Sequence, residues 1–466
     1  MEVGNRQVKL SRFVTVFDRR GVTALYNSIK GKTLYLSGPT LRAVSPLLKK
    51  STSLERFIAD AKVSHKDINA VVLALNDLLE NSFLCPADND ERGVINKLRA
   101  RFEEPTGFEN LTVYLTTGCN LNCKYCQLHS QPGKSNKKIL SMKSFKQGIN
   151  AFFSSYYSPD GVPRRVQFFG GEPLIEWPSF VKMVEYIRFC EEAEKFGGEK
   201  VDIHVNTNGT LLTDEILSFL KKNNVYLSVS LDGPQKEHDL YRKDLAGKGT
   251  YQKIIHNMQR AHEIGIDVTV LSVLGAHNLS GLPKFIKKIH DTCSVSFFGL
   301  NPIIGDDKWQ KKFSVGKFRE KLMKVIDQLL DIDGVAVNPF HEQWEEFAND
   351  ESMLAGQECI SGTRLVLFPT GHVAPCVQYV FRDNTPRLSR FKSLYPSEVW
   401  KEVRSSWSLY DPDCYNSCPL IGFCDGGCPI NAQRAAKDGK RPMCNLSRSL
   451  LEAFIWRKHR MQKELV

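Results

Sequence analysis

Six short apolar runs, set apart by helical stretches, constrain this chain more than any other feature. They are LTVYLT (111–116), VQFF (166–169), DIHVNT (202–207), YLSVSL (226–231), DVTVLSVL (267–274) and SVSFFGL (294–300). β-Branched and aromatic residues favour extended backbone, and parallel strands need long, usually helical, crossovers between them. The alternation therefore predicts an α/β fold with a parallel sheet. Six strands are fewer than the eight of a closed barrel, so an open or partial barrel is expected. Chemistry in such folds gathers at the C-terminal ends of strands. The sharpest motifs fall there: Cys119 after the first run, GGEP after the second, TNGT after the third and LDGP after the fourth.

The thirteen cysteines are just as unevenly placed. Ten lie in two zones, 119–126 and 359–444, which leaves Cys85, Cys190 and Cys293 as isolated residues suited to packing. Clustered thiols in a chain without an export signal are metal ligands more often than disulfide partners. CNLNCKYC spaces Cys119, Cys123 and Cys126 as C-x3-C-x2-C on a loop. A four-iron cubane usually takes four cysteines, so three leave one iron open to an exogenous ligand. Zinc with His129 as the fourth ligand fits the same spacing. The second zone runs Cys359, Gly371, Cys376, then Cys414-x3-Cys418-x5-Cys424-x3-Cys428, and ends at Cys444. It is poor in apolar periodicity and rich in Cys, Gly and Pro. A region stapled by iron-sulfur or zinc ligands is expected there, rather than one built on a core.

A chain of 466 residues holds about three domains of roughly 150 residues each. The polar stretch PADNDERG (86–93) is a boundary, and the units are placed at 1–90, 105–335 and 340–455. The first reads as three strands, 8–17, 22–29 and 33–37, followed by helices over 40–50, 53–61 and 65–81. No apolar run reaches the roughly 18 residues that cross a bilayer. The opening MEVGNRQVKLSRF lacks the apolar segment of a secretory signal, so a cytoplasmic location is expected. The formal charge of +11 suits an acidic partner or only a solvated basic surface.

From the cysteine loop outward, residues 109–302 resemble the radical S-adenosylmethionine (SAM) superfamily. The resemblance implies a partial (β/α)6 TIM-type barrel in which SAM chelates the open iron of a [4Fe-4S] cluster. Reduction then cleaves SAM, and the 5'-deoxyadenosyl radical abstracts hydrogen from the substrate. FFGGEP (168–173) resembles the family's GGEP motif, where Gly170 and Gly171 let backbone approach the SAM amino group, with Glu172 nearby. In SVSLDGPQKEHDLYR (228–242), Ser230 sits where related enzymes contact the SAM ribose. Arg242 sits where they bind the methionine carboxylate, whose two oxygens match the guanidinium fork. Tyr125, and Leu300 in FFGLNP, are implied to pack against adenine, and ordinary core positions are the equal alternative for both.

Residues 356–450 resemble the SPASM domain, which carries two auxiliary [4Fe-4S] clusters, so three clusters are implied in all. By position, Cys359, Cys376 and Cys428 hold the first auxiliary cluster, and Cys414, Cys418, Cys424 and Cys444 the second. Two departures stand out. The family usually has C-x2-C where this chain has Cys414-x3-Cys418, and ESMLAGQE (351–358) lacks the eighth cysteine that often precedes the position of Cys359. An open iron or a non-cysteine ligand is implied at the first auxiliary cluster.

The β3α3 pattern resembles the winged-helix-type peptide-recognition element fused to maturases of ribosomally made peptides. A leader peptide is then expected to add as a strand at the edge formed by 32–37 and to rest on the third helix. A DNA-binding winged helix is the structural competitor. Together the resemblances imply a maturase that abstracts hydrogen from a precursor peptide and installs a thioether or carbon-carbon crosslink. A flavodoxin- or ferredoxin-type protein is the expected electron donor, with no membrane or nucleic-acid partner. Anaerobic sulfatase maturases, which form formylglycine, are similar, but they place an Asp general base directly after the cysteine matching Cys376. Here that residue is Val377, and no general base is assigned. An RNA-modifying radical SAM enzyme and a non-enzymatic iron-sulfur carrier are the readings from other classes.

Overall fold

The computed structural model describes residues 7–60, 68–91, 93–95, 108–126, 128, 137–154, 163–303, 316–351, 363–380, 417–424 and 442–464. Cys359, Cys414, Cys428 and His129 lie outside them.

The N-terminal unit contains β1 (Gln7–Leu10), β2 (Val14–Arg19), β3 (Val22–Asn27), β4 (Lys32–Ser37), α1 (Gly38–Lys49), β5 (Thr52–Ser53), α2 (Leu54–Asp60), α3 (Ile68–Glu80) and β6 (Leu84–Pro86). The three helices fall where periodicity predicts them. The first expected strand, 8–17, is instead two strands in different sheets: β1 pairs with β5 and β6, whereas β2 opens the antiparallel meander β2-β3-β4. The break has a physical cause. The buried Glu91 carboxylate accepts bonds from the Ser11 hydroxyl and the Arg12 N–H (3.0 Å), and Ser11 N–H turns to the Phe83 carbonyl at 2.8 Å.

The middle of the chain forms a nine-stranded sheet. Its strands include β7 (Asn110–Thr116), β8 (Arg164–Gly170), β9 (Val201–Thr207), β10 (Val225–Ser230), β11 (Val268–Leu274) and β12 (Phe297–Pro302), the six expected runs. Each is parallel to its neighbour in chain order. The crossover helices are α4 (Met142–Phe153), α5 (Trp177–Glu192), α6 (Asp214–Lys222), then α7 (Gln235–Tyr241) with α8 (Tyr251–Glu263), and α9 (Leu282–Cys293). Local chemistry sets their ends. In α6, the Thr213 hydroxyl caps Ile216 N–H at 3.3 Å, Asp214 and Glu215 occupy the positive first turn, and Lys221 and Lys222 the negative last turn.

Three further strands extend the sheet beyond the expected six. After α10 (Gly316–Leu330), β13 (Ala336–Asn338) adds in parallel to β12. After α11 (Phe340–Ala348), β14 (Arg364–Leu367) adds in parallel to β7, and β15 (Val373–Ala374) turns back on it. These runs are too short to carry a period. The order β13-β12-β11-β10-β9-β8-β7-β14-β15 is an open, partial barrel with β7 near one edge.

The period-2 alternation of the strands separates two faces. In β9, Val201, Ile203, Val205 and Thr207 are buried toward the helices, while Asp202, His204 and Asn206 line the half-buried inner face. The N-terminal meander is likewise buried on both sides. Val14, Leu25 and Leu36 face α1 to α3, whereas Phe17, Ala24 and Tyr26 join the core that continues through the barrel and α12 (Pro442–Glu464). Tyr26 packs on Phe347 and Phe423 with ring centroids at 5.4 and 6.1 Å, and the Tyr35 hydroxyl donates to the Ile455 carbonyl at 2.6 Å. A Cβ on Gly422 would lie 2.2 Å from the Ser28 carbonyl oxygen, and one on Gly31 (φ +68°) 2.3 Å from that of Glu351. Backbone meets backbone at both points.

Candidate SAM and iron-sulfur site

The cysteine loop leaves the C-terminal end of β7 and is held from three sides. From β8, Gly171 N–H donates to Thr116 O at 2.7 Å and Glu172 N–H to Gly118 O at 2.8 Å. A Cβ on Gly170 would lie 2.4 Å from Thr116 O, and one on Gly171 2.1 Å from Gly118 O. The glycine pair is thus required by the chain's own cysteine loop, before any ligand arrives.

From β9, the TNGT segment binds both the loop and Glu172. Asn208 Nδ2 donates to Asn120 Oδ1 at 2.8 Å and lies 4.0 Å from Cys119 Sγ, and Asn120 Nδ2 donates to Thr210 Oγ1 at 2.8 Å. The fully buried Glu172 carboxylate accepts from Leu174 N–H (3.0 Å), Thr207 Oγ1 (2.8 Å) and Asn208 N–H (2.7 Å). Burial raises its pKa to about 7, against the opposing pull of these donors. Sequence reasoning placed TNGT at a strand end without giving it this role.

From β10 comes a buried polar network. Asp232, just after the strand, accepts Val273 N–H at 3.0 Å and Arg242 Nε–H at 2.9 Å, and also the Tyr125 hydroxyl from within the cysteine loop. The Tyr125 ring stacks on Tyr241, with centroids at 5.9 Å, and lies 5.5 Å from the Arg242 guanidinium. Tyr125 and Arg242, expected to face SAM, therefore have firm protein partners. Ser230 lies at the half-buried C-terminal end of β10, on the inner face. Leu300 takes the core position, one of its two readings. It is 2% exposed and shares a face with Phe298, whose ring meets Phe285 of the helix layer. The period-2 geometry of β12 turns its side chain into the core.

Burial pushes the Cys119 thiol up to about 12 and raises that of Cys123, so as free thiols both stay protonated at neutral pH. Such thiols ionise when a cation binds them. Leu121 N–H, 3.4 Å from Cys119 Sγ, and the nearby Asn208 amide supply donors to a sulfur carrying negative charge. Among the described residues, no three His, Cys, Asp or Glu side chains converge tightly enough to hold a single metal ion. A cubane asks for less convergence, since each cysteine meets a different corner iron. The loop, its amide donors and its thiols, Cys123 buried and Cys119 and Cys126 half-buried, fit such a cluster.

Of the second cysteine zone, Cys376, Cys418 and Cys424 are partly buried and Cys444 is exposed at the start of α12. Cys418 and Cys424 pack against the main core, and Cys376 beside Tyr114 and Phe368. Val377 begins a short 3-10 turn after Cys376, with no acid at that position.

A family model, the radical SAM superfamily, matches residues 113–289. A serine-type anaerobic sulfatase-maturating enzyme of Bacteroides thetaiotaomicron is 32% identical over 370 residues, 72% of this chain and 86% of that protein. The chain belongs to the radical SAM superfamily. Radical SAM enzymes use SAM and a [4Fe-4S] cluster, which when bound supplies the electron that cleaves SAM. Two likenesses extend further along this chain. The radical SAM cyclopropyl synthase TigE of Paramaledivibacter caminithermalis is 22% identical over 446 residues, 91% of this chain and 90% of that protein. The fold of Streptococcus suis SuiB, solved with its precursor peptide SuiA, matches 92% of this chain and 97% of that one, at a TM-score of 0.51 and 15% identity. The fold of anSMEcpe with bound AdoMet matches 77% of this chain and all of that one, at a TM-score of 0.61 and 21% identity. Among the described residues, no helix of this radical SAM enzyme is long and apolar enough to cross a membrane.

Proposed function

We propose that this radical SAM enzyme is a maturase of a ribosomally made precursor peptide, on which it installs a thioether or carbon-carbon crosslink. The observation that carries the reading is the N-terminal meander with an unpaired edge. In the order β2-β3-β4, β4 has no second partner among the described residues, and α3 beside it exposes Ile68, Val72 and Leu73. An extended leader gains main-chain bonds at such an edge and apolar pockets on the helix. The likenesses to TigE and SuiB run through nearly the whole chain, while those to sulfatase maturases leave about a quarter of it unmatched.

In this reading residues 1–90 recognise the leader, 105–335 carry the radical chemistry and 340–455 form a SPASM unit. Cys119, Cys123 and Cys126 ligate the SAM cluster, while Gly170, Gly171, Glu172 and Ser230 shape the SAM pocket. Cys359, Cys376 and Cys428 ligate one auxiliary cluster, and Cys414, Cys418, Cys424 and Cys444 the other. A flavodoxin- or ferredoxin-type protein donates electrons. The inner face of the barrel, with Gln167, His204, Asn206 and Ser230, receives the core of the peptide. His204 stacks on Tyr226 with centroids at 4.6 Å, and burial, reinforced by Arg165, lowers its pKa to about 4, so it stays neutral.

Anaerobic reconstitution tests the cluster count, since three cubanes give about twelve irons per chain and a SAM cluster alone about four. Incubation with SAM, dithionite and a precursor peptide encoded beside the gene tests the reaction. The expected result is 5'-deoxyadenosine together with a peptide lighter by a pair of hydrogens. A crosslinked product carries no aldehyde, so a peptide whose cysteine or serine side chain has become one, read by hydrazide capture because serine oxidation also removes two hydrogens, overturns crosslinking in favour of formylglycine formation.

A further inference from the structure

We propose that the solvent side of the cysteine loop, together with the segments 137–139 and 240–248 that clamp it, is the docking surface of a small acidic carrier of the flavodoxin type, which delivers its electron there rather than through the C-terminal cysteine zone. The inference rests on reading Cys119, Cys123 and Cys126 as ligands of the SAM cluster, and is independent of the peptide reading.

The loop is held between two segments of chain. On one side Thr117 N–H donates to Lys138 O at 3.0 Å and Lys138 N–H to Thr117 Oγ1 at 2.9 Å, beside the bridge between Thr116 and Ile139. On the other, Asn122 N–H donates to Lys243 O at 2.8 Å and Lys124 N–H to Tyr241 O at 3.0 Å, and Leu121 bridges to Asp244. Both segments carry large apolar side chains into solvent. Ile139 is 43% exposed and Leu240 46%, and Leu245, at 70%, is the most exposed large apolar side chain among the described residues. Apolar groups gathered on a surface in this way mark an interaction site.

Positive charge surrounds them. Lys124, Lys138 and Lys248 are exposed and Lys243 is half-buried. The acids of the same surface are engaged within the fold. Glu176 pairs with Lys137 at 2.5 Å, Asp239 Oδ1 accepts Thr250 and Tyr251 N–H at 2.8 and 3.0 Å, and Asp244 Oδ1 accepts Lys248 N–H at 2.8 Å. An apolar centre in a basic rim complements a flavodoxin-type carrier, whose flavin shows an apolar edge within an acidic surface. Opposite charge speeds and orients the encounter, and contacts that pass electrons are small and weak. The chain's formal charge of +11 adds attraction at longer range.

The position of the patch gives it this use. Lys124 stands between Cys123 and Tyr125, and Ile139, Leu240 and Leu245 lie on the two clamping segments, so a carrier seated on them rests directly against the cysteine loop. Electron tunnelling falls steeply with separation, which favours that seat. Cys418 and Cys424, by contrast, pack against the main core, and the turn between them meets the N-terminal meander at Ser28. The transfer moves one electron and no atoms. The reduced flavin is oxidised by one electron, the cluster site is reduced by one, and that electron is spent in cleaving SAM to methionine and the 5'-deoxyadenosyl radical.

Calorimetric titration of the full-length, anaerobically reconstituted protein with the organism's own oxidised flavodoxin tests the surface, at about 0.05 M and about 0.5 M salt. The double variant K138E/K248E is expected to raise the dissociation constant about tenfold at low salt and to approach the parent at high salt, where the charges are screened. Leu245→Ser is expected to raise it about fivefold at both. Both variants should keep parental iron per chain and form 5'-deoxyadenosine with dithionite within about twofold of the parental rate, while the rate with limiting reduced flavodoxin falls in step with binding. Parental flavodoxin affinity in either variant overturns the proposal and moves electron entry to the C-terminal zone. So does a surface that binds ferredoxin and ignores flavodoxin. A loss of iron or of the dithionite-driven rate that matches the loss of binding also overturns it, because the side chains then act on the cluster site itself. A parent that forms no 5'-deoxyadenosine with dithionite overturns the ligand reading instead.

Discussion

At the scale of single residues, Glu172 concentrates the most consequence. Its carboxylate joins the end of β8 to the TNGT segment of β9, so the two motifs that frame the cysteine loop share one acceptor. Glu172→Gln places an amide donor against N–H and O–H donors, and a loss of about 2 kcal/mol is expected in denaturant unfolding. The pH dependence has a definite sign. A carboxyl raised from 4.5 to about 7 binds its proton more tightly in the folded state, so its contribution to stability falls as pH rises through that window. Thermal melts from pH 4.5 to 7 should decline less steeply in Glu172→Gln than in the parent. The cysteine spacing and GGEP were legible because their chemistry is written in consecutive residues. Asp232, His238 and Asn278 were not, because three common polar residues become a network only when the chain folds them together. Leu300 could be read two ways for a related reason: the face a strand residue occupies depends on register, which its motif does not state.

Among the elements, all six barrel strands and every N-terminal helix were legible from alternation and helical spacing. The strands missed, β5, β6, β13, β14 and β15, have two to four residues and are recruited by their sheets rather than by their own propensity. The split of 8–17 into β1 and β2 depends on Glu91, some eighty residues away, which no local window contains. The pairing of β4 with an exposed apolar face on α3 leads to a direct test. Val72 and Leu73 are 50% and 64% exposed, so Val72→Asp and Leu73→Asp should change stability by no more than about 0.5 kcal/mol. Both should weaken a fluorescently labelled leader peptide by about tenfold in anisotropy titrations, a loss near 1.4 kcal/mol. Unchanged binding would place the leader elsewhere.

For the whole molecule, the N-terminal unit is less separate than its composition suggested. Its meander divides its residues between two cores, one its own and one shared with α11, α12 and the segment Ile421–Cys424. The period of two in β3 is what lets one strand serve both. Gly31→Ala and Gly422→Ala each force a side chain against backbone, and each should lower stability by about 2 kcal/mol by chemical denaturation, with the melting temperature falling in step. Deleting residues 1–90 should uncover Phe347 and Phe423 and give a protein that aggregates, as light scattering would report.

The contact between Gly422 and Ser28 has a bearing on how such a molecule can be rebuilt. Gly422 sits between Cys418 and Cys424, so the surface that docks the meander and the segment carrying two of the cysteines are one piece of chain. Exchanging the N-terminal unit between enzymes of this fold is therefore not a matter of choosing a linker. A graft that brings residues 7–86 from another enzyme must also bring that enzyme's counterparts of 421–424 and 442–464. A chimaera built at the linker alone inherits a mismatch beside its own cysteines.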